Sequence, residues 1–511
     1  MRDRTAVLSA CLLVTLLSGT SAAWAAAPCE DLVRVSLPGI TMTAARLITA
    51  GSFSPDAAPG ARRQVDQAEF AKLPAFCRVM LRAKPSVDSD IGIEVWLPEM
   101  NWNGRLQAVG DGGLAGSIPV ALMAEALAEG YVSTGTDTGH LGGNADFMPA
   151  HPEKLIDFAY RSTHEMAVAA KAVSAAFYGK APTSSYYNAC SGGGRHALAS
   201  AQRYPDDFQG IVAGAASWNQ ARLDASRIAI NLIVNRTQAS RILSTKYPMI
   251  HAAVLQTCDK ADGVSDGVIE NPSACKFDYA TLACQGPDGP SCLTPPQVES
   301  AKALTSALID RATNRILLEP HLWPGSELQW GTLGGPDPLV NSVVRVRNFH
   351  LKDTAWEFRL SNVATDIERA ARMDDGLLAS DNFNLEPFFD RGGKLLMWHG
   401  WSDPQVPAQN SVIYFTNVLK AVGTKAKDSI ALFMLPGVLH CGGGPGPDVF
   451  DKMVPITTWV EQGQKPLQIV ASHVTNGVAD RTRPLCPHPQ VASYKGAGST
   501  DDAANFVCRA P

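Results

Sequence analysis

The sequence is poor in charge, and beyond its N-terminus it has no apolar run long enough to cross a membrane. Charged residues are 18% of the 511, and 44 Lys and Arg oppose 49 Asp and Glu, a formal net charge of −5. No basic run could neutralise phosphates, which argues against nucleic-acid binding. Hydrophobic residues are 45% of the chain, which excludes a disordered or coiled-coil protein. The length suits one large α/β domain with an insertion, or two to three ordinary domains.

Residues 1–25 have the pattern of a secretory signal peptide. Arg2 and Arg4 precede an apolar stretch at 6–17, which is too short to span a bilayer, and Ala23-Trp24-Ala25 fits a cleavage site. A membrane anchor is the alternative interpretation. We expect a soluble mature protein that is secreted or periplasmic and has no membrane span.

The cysteines favour disulfides over a metal site. Of 11 cysteines, Cys11 leaves with the signal, and an even number remains in a chain expected to be exported. No C-x-x-C pair occurs, and the closely spaced cysteines lack nearby paired histidines, which argues against zinc. Proximity along the chain suggests three pairs: Cys258 with Cys275, Cys284 with Cys292, and Cys486 with Cys508.

The middle of the chain alternates strand and helix patterns, as β-α-β units of a mainly parallel sheet do. Strands are predicted at 91–96, 105–110, 130–134, 185–188 and 211–213, and helices at 121–129, 164–178 and 195–204. The alternation stops after about Trp218 and resumes at 393–400 and 429–435. The pattern predicts an α/β domain formed by 26–217 and 386–511, interrupted by an inserted domain at 218–385.

A glycine-rich turn, NACSGGGR at 188–195, lies between a predicted strand and a predicted helix. A nucleophile elbow occupies such a position, because its neighbours must be small and the next backbone N–H must face an oxyanion. Ser191 and Gly193 meet half of the G-x-S-x-G pattern, and Ala189 replaces its first glycine. A phosphate-binding turn is the alternative, although neither G-x-G-x-x-G nor G-K-[ST] is present.

Two later turns complete a candidate catalytic set. Asp403 follows the strand predicted at 393–400, and His440 lies in a glycine-rich loop after the next strand. The order Ser191, Asp403, His440 is that of α/β-hydrolases, which predicts nucleophile, acid and base. Structural roles are the alternative, because an Asp before Pro is a common turn residue and a single histidine is often structural.

Two further features concern the same turns. The N–H of Gly192, with that of Gly112 or Gly113 from an early glycine-rich loop, is predicted to form the oxyanion hole. That loop could also be a plain turn. Cys190 precedes the serine and Cys441 follows the histidine, so a disulfide between them would tie the two loops together.

The pattern Cys190-Ser191, Asp403, His440-Cys441 resembles the CS…D…HC motif of the tannase and feruloyl esterase family. Further similar stretches are PAFC at 74–77, WNGR at 102–105, GGLAG at 112–116 and TDTGH at 136–140, so the resemblance covers nearly all of the mature chain. The family includes fungal tannases, feruloyl esterases and a bacterial mono(2-hydroxyethyl) terephthalate hydrolase. The resemblance implies an α/β-hydrolase core with a large lid domain at 218–385. It also implies five disulfides: the four pairs named above, and Cys29 with Cys77.

An acidic loop in the predicted lid is a candidate ion site. Asp259, Asp262 and Asp266 place three carboxylates within eight residues, which suits a hard cation, although the spacing is not that of an EF-hand. A solvated acidic turn is the alternative. The resemblance implies a structural Ca²⁺ held by these side chains and by the carbonyls of Val264 and Val268.

The sequence thus predicts a secreted serine carboxylesterase without an organic cofactor that acts through an acyl-enzyme. The resemblance implies small esters of hydroxycinnamic or gallic type acids as its substrates. The first alternative is a terephthalate monoester hydrolase, which needs a cation for the free carboxylate, from Arg345, Arg347 or Arg359. The second is a non-catalytic, calcium-dependent binding protein on a hydrolase fold. The intact set of Ser191 and its two partners argues against it.

Overall fold

The computed structural model describes residues 27–55, 67–114, 116–145, 148–310, 315–358 and 363–511. The signal peptide predicted at 1–25 and the candidate Arg359 lie outside these residues. Nine of the described strands form one sheet, and the others form three two-stranded sheets. In chain order the strands are β1 Ile40–Ile48, β2 Phe76–Ala83, β3 Ile91–Pro98, β4 Arg105–Gly110, β5 Val132–Thr136, β6 Ser184–Cys190, β7 Gly210–Gly214, β8 Leu308–Asp310, β9 Arg315–Leu318, β10 Lys394–Gly400, β11 Ile430–Leu435, β12 Ile469–Thr475, β13 Val478–Leu485, β14 Val491–Tyr494 and β15 Phe506–Arg509.

Helices cover both faces of the large sheet and make up much of the segment between β7 and β10. In chain order they are α1 Gln67–Phe70, α2 Val120–Ala128, α3 Pro152–Ile156, α4 Ser162–Tyr178, α5 Gly192–Arg203, α6 Gln220–Val234, α7 Tyr247–Cys258, α8 Pro295–Thr305, α9 Gly331–Gly334, α10 Val340–Arg345, α11 Val363–Asp374, α12 Glu386–Phe389, α13 Gln409–Val422, α14 Thr424–Lys427 and α15 Met453–Gln462. No helix among the described residues has the length and apolar character needed to cross a membrane.

The predicted α/β fold is confirmed. The sheet order is β1-β2-β3-β5-β4-β6-β7-β10-β11. The strands from β5 to β11 in this order are parallel, whereas β1, β2 and β3 continue the sheet with antiparallel pairings. Every residue of β11 and nearly every residue of β10 is buried, as expected for parallel strands covered on both faces.

The core lies on both faces of the sheet. On one face α4 and α5 pack through residues such as Met166 and Leu198, and on the other α2 and α15 pack through Leu127 and Trp459. Between β7 and β10 the chain leaves the sheet, and its helices bury a core of their own that contains Trp330. This segment includes the predicted lid, whose boundaries at 218–385 stay a prediction.

Two predicted element boundaries are wrong near the site. The helix predicted at 195–204 begins at Gly192, because the glycines form its first turn. The strand predicted at 130–134 lies at Val132–Thr136, because Gly130 has a positive φ of 80° and belongs to the preceding turn. Five disulfides join the cysteine pairs named above, with Cα atoms 4.9 to 6.1 Å apart.

Candidate active site

Ser191 occupies a sharp turn between the end of β6 and the start of α5. Its backbone has φ 61° and ψ −121°, a conformation that residues with a side chain rarely adopt. The turn is tightly packed, since a Cβ on Gly193 would lie 2.8 Å from the Ala189 Cβ. A Cβ on Gly194 would collide with the Gly214 carbonyl on β7. The small residues around Ser191 are therefore required by the packing of the turn, and Ala189 fits in place of glycine.

The loops after β10 and β11 bring the predicted acid and base to Ser191. Because the carboxyl ends of parallel strands meet at one edge of the sheet, the three side chains converge there. The Nε2 atom of His440 lies 2.9 Å from the Ser191 Oγ, and its Nδ1 atom lies 2.7 Å from the Asp403 Oδ2. This is the hydrogen-bond geometry of a nucleophile, a base and an acid.

Asp403 is buried, yet its carboxylate is surrounded by donors. Its Oδ1 accepts hydrogen bonds from the backbone N–H groups of Gln405, at 2.7 Å, and Val406, at 3.0 Å. Its Oδ2 faces His440 and also the Nε2 of His399, which lies 3.2 Å away. Burial by itself raises the pKa of Asp403, but the charge of His440 and the hydrogen bonds from both histidines outweigh it and hold this pKa well below its usual value. The carboxyl is therefore ionised at neutral pH.

The glycine-rich loop after β4 lies against the serine turn. A Cβ on Gly112 would lie 3.4 Å from the Ser191 Cβ, and a Cβ on Gly192 would lie 2.9 Å from the Gly113 backbone N. The Gly112 N–H donates to the side chain of Asp111, at 2.7 Å. This bond leaves Gly113 as the better candidate for the second oxyanion donor beside Gly192.

The TDTGH stretch at 136–140 holds this loop in place. The Nε2 of His140 lies 3.1 Å from the Leu114 carbonyl oxygen, and the Gly142 N–H donates to the Gly116 carbonyl at the same distance. His140 is buried. The sequence pattern did not suggest this supporting contact of His140.

The disulfide between Cys190 and Cys441 links the serine turn to the histidine loop. Their Cα atoms are 6.1 Å apart, and each cysteine is bonded through the chain to a residue of the Ser191–His440 pair. Cys441 also has a positive φ of 63°. The bond limits how far Ser191 and His440 can separate.

A cavity of about 900 Å³ opens onto Ser191 and His440. Its walls come from the sheet edge and from the inserted segment, which contributes apolar residues such as Leu223 and Val340. The volume is within the range of pockets that take drug-sized ligands. An ester with one aromatic ring can therefore fit beside the serine.

Of the three arginines predicted as partners of a free carboxylate, the structure describes Arg345 and Arg347, and both donate hydrogen bonds to other groups of the protein. Arg345 lines the cavity, but its Nε and Nη2 both donate to the buried Asp224 at 2.7 Å. The Nε of Arg347 donates to the Trp356 carbonyl at 3.1 Å. Sequence reasoning missed Arg227, which lines the cavity, donates from Nε to the Gln405 carbonyl at 2.8 Å and lies near Asp224. The only sequence signal for Arg227 is that it follows Asp224 by three residues on α6, a spacing that allows the two side chains to pair.

The acidic loop does not gather its carboxylates at one point. Asp259 and Asp262 accept hydrogen bonds from N–H groups of the loop itself, and Asp266 pairs with Arg481 and Arg483. Burial, with the charges of Asp266 and Asp259, raises the pKa of Asp262 to about 6. Within the described ranges no three His, Cys, Asp or Glu side chains form a group that could hold a metal ion. Carboxylate and carbonyl oxygens are the ligands that Ca²⁺ takes, but a bound ion would require the three carboxylates to turn towards one another and Asp266 to release its arginine partners.

Comparison with known proteins gives consistent matches. The family described as "Tannase and feruloyl esterase" matches residues 77–317 and 340–509. The chain is 34% identical to an uncharacterized esterase of Xanthomonas campestris pv. campestris, over 95% of this chain and 91% of that one. It is 30% identical to the mono(2-hydroxyethyl) terephthalate hydrolase of Piscinibacter sakaiensis, over 95% and 92% of the two chains. The crystal structure of feruloyl esterase B from Aspergillus oryzae superposes with a TM-score of 0.86 at 27% identity, over 94% and 99% of the chains.

Removal of the Cys190–Cys441 disulfide should reduce turnover more than stability. We expect the Cys190→Ala/Cys441→Ala variant to lose about 100-fold in the rate of p-nitrophenyl acetate hydrolysis, because a shift of about 1 Å between reacting groups can cost that much. The rate and the Tm are measured together. The Cys284→Ala/Cys292→Ala variant is the control, since it removes a disulfide of the inserted segment outside the cavity wall. Peptide mapping that finds free thiols at Cys190 and Cys441 would refute the prediction.

Proposed function

The chain belongs to the tannase and feruloyl esterase family and is a carboxylic ester hydrolase, and we propose that it cleaves esters of aromatic acids through an acyl-enzyme on Ser191. The observation that carries the proposal is the continuous hydrogen-bonded series from the Ser191 Oγ through His440 to Asp403, at 2.9 and 2.7 Å. A binding protein without catalysis would have no need of this geometry, and we set that alternative aside.

In the proposed acylation, the Ser191 Oγ attacks the ester carbonyl carbon while its proton passes to the Nε2 of His440. Asp403 accepts the hydrogen bond from Nδ1, which fixes the tautomer and stabilises the imidazolium that forms. When the tetrahedral intermediate collapses, the C–O bond to the alcohol breaks and the alcohol oxygen takes the proton from Nε2. The acyl group is then bonded to Ser191.

Deacylation repeats these steps with water in place of serine. His440 takes a proton from the water as its oxygen attacks the acyl carbon, and the Ser191 oxygen leaves with that proton. In both steps the negative carbonyl oxygen would lie beside the N–H groups of Gly192 and Gly113. These donors are held by the start of α5 and by the loop that His140 supports, so they need no rearrangement during the reaction.

Acids of hydroxycinnamic or gallic type fit the proposal better than terephthalate monoesters. The latter carry a free carboxylate that needs an available cation, and the guanidinium of Arg345 already pairs with Asp224. The relative from Piscinibacter sakaiensis keeps the terephthalate monoester as a second candidate. A neutral phenolic ring needs no such partner and is suited to the apolar residues that the inserted segment contributes.

We also propose export and a structural Ca²⁺. Five disulfides favour an oxidising compartment, in agreement with the signal pattern at 1–25. The ion would be held by the side chains of Asp259, Asp262 and Asp266 and by the Val264 and Val268 carbonyls. Its contribution would be to order the acidic loop of the inserted segment, and none of these residues lines the cavity.

Replacement of the nucleophile tests the proposed reaction. We expect Ser191→Ala to lower kcat for methyl ferulate by at least about 10⁴-fold and to leave the Tm nearly unchanged, because one hydroxyl is removed and little packing is lost. Methyl gallate and mono(2-hydroxyethyl) terephthalate complete the substrate panel. Residual turnover within about tenfold of the parent would refute the role of Ser191. A clear preference for the terephthalate monoester would refute the proposed acid class.

Chelation tests the proposed ion. If Ca²⁺ binds only the folded protein, EDTA should lower the Tm and added Ca²⁺ should restore it, by mass action. Asp262→Ala should have the same effect as chelator, and Asp381→Ala, at an exposed aspartate of the same segment, should not. We expect KM for methyl ferulate to rise more than kcat falls, since the proposed ion would order a loop of the inserted segment, and this segment supplies part of the cavity wall. If metal analysis finds no Ca²⁺ and EDTA changes neither Tm nor KM, the loop is a solvated turn.

A further inference from the structure

His399 is a buried histidine that contacts the Asp403 carboxylate beside His440. It lies near the end of β10, four residues before Asp403, and its side chain is 0% exposed. Its Nε2 lies 3.2 Å from the Asp403 Oδ2, the same oxygen that bonds the Nδ1 of His440 at 2.7 Å. No proton transfer in the proposed reaction involves this second imidazole.

The partners of the His399 ring determine where its hydrogen lies. The Nε2 faces two acceptors, the ionised Asp403 Oδ2 and, at 3.1 Å, the Val406 carbonyl oxygen. Neither can donate, so Nε2 carries the hydrogen. The Nδ1 lies 2.7 Å from the Oγ of the buried Ser411 on α13, and this hydroxyl can donate to it. A neutral imidazole with the hydrogen on Nε2 therefore satisfies every partner of the ring.

We propose that His399 is a positioning residue for the reaction, an imidazole that donates to Asp403 and holds the carboxylate in the orientation that His440 needs. The proposal rests on the proposed roles of Ser191, Asp403 and His440. The Asp403 Oδ1 is fixed by the N–H groups of Gln405 and Val406. The bond from His399 also fixes Oδ2, so the carboxylate cannot rotate away from His440.

The same bond limits the negative charge that Oδ2 presents to His440. Without it, Asp403 would favour protonated His440 more strongly, and the base would become available only at higher pH. Two other ionisable side chains of the described residues, Arg227 and His321, interact with Asp403. Burial lowers their pKa values to about 10 and about 3, so neither changes charge between pH 5 and 8. A shift of the pH–rate profile of a His399 variant in this range is therefore not due to a change of charge on Arg227 or His321.

The experiment compares His399→Leu, which has no donor, with His399→Gln, whose amide N–H can replace the Nε2–H. For methyl ferulate we expect the leucine variant to lose about 10- to 100-fold in kcat with KM within about twofold of the parent. The acid limb of its kcat/KM–pH profile should shift to higher pH by about half a unit or more. The glutamine variant should recover most of kcat and keep the acid limb of the parent.

The control is His251→Leu, which breaks a similar pair between a histidine and the buried Glu327, at 2.8 Å, outside the cavity wall. It should lower the Tm without moving the acid limb. If His399→Leu does not fold, Ser411→Ala, which removes the hydroxyl that fixes the ring, takes its place and should shift the acid limb in the same direction. An unshifted acid limb in the folded variant, or a loss of kcat that glutamine does not restore, overturns the proposal.

Failure of this proposal can be distinguished from failure of the proposed function. If Ser191→Ala remains active, the catalytic set itself is wrong and His399 has no carboxylate of the reaction to hold. If Ser191→Ala is inactive but His399→Leu keeps the kcat and the pH profile of the parent, only the role of His399 is wrong.

Discussion

The backbone at Ser191 must hold a conformation with positive φ, and much of the surrounding structure depends on this constraint. The turn between β6 and α5 is so tight that a Cβ on Gly193 or Gly194 would collide with its neighbours. This backbone conformation points the Ser191 Oγ towards the cavity. Because α5 begins at Gly192, the Gly192 N–H also points towards the cavity. The strand order β6-β7-β10-β11 then places the loops after β10 and β11 within reach of Ser191.

A buried negative charge is the second requirement of the site. Asp403 is tolerated because four donors surround it: two backbone N–H groups and the imidazoles of His440 and His399. Asp224, also buried, is held in the same way by Arg345, whose charge and hydrogen bonds outweigh the cost of burial and keep its pKa low. Because this pair joins α6 to α10, it orders the wall of the cavity, and it engages the guanidinium of Arg345, one of the cationic side chains that line the cavity.

Much of the fold, and the convergence of Ser191, Asp403 and His440, could be predicted from the sequence, because parallel strands are continuous apolar runs and their loops carry the motif residues. The antiparallel strands β1 and β2 were not predicted. β1 has an irregular burial pattern with a register shift between Met42 and Ala44, so periodicity gives little signal there. The preference for Gly113 over Gly112 as the candidate donor depends on one hydrogen bond, which the Gly112 N–H donates to the Asp111 side chain, and no sequence pattern encodes it. The contact of His399 with Asp403 depends on how the loop after β10 folds back onto the strand. The four-residue spacing between them in the sequence does not predict that path.

The central claim is that Ser191 is the nucleophile activated by His440, and peptide mass mapping after reaction with a sulfonyl fluoride tests it most directly. The inhibitor needs a serine that a neighbouring base activates, as in the first step of the proposed reaction. We predict loss of esterase activity in parallel with a single sulfonyl adduct on the peptide that contains Ser191. An adduct on another residue, or loss of activity with Ser191 unmodified, would contradict the account.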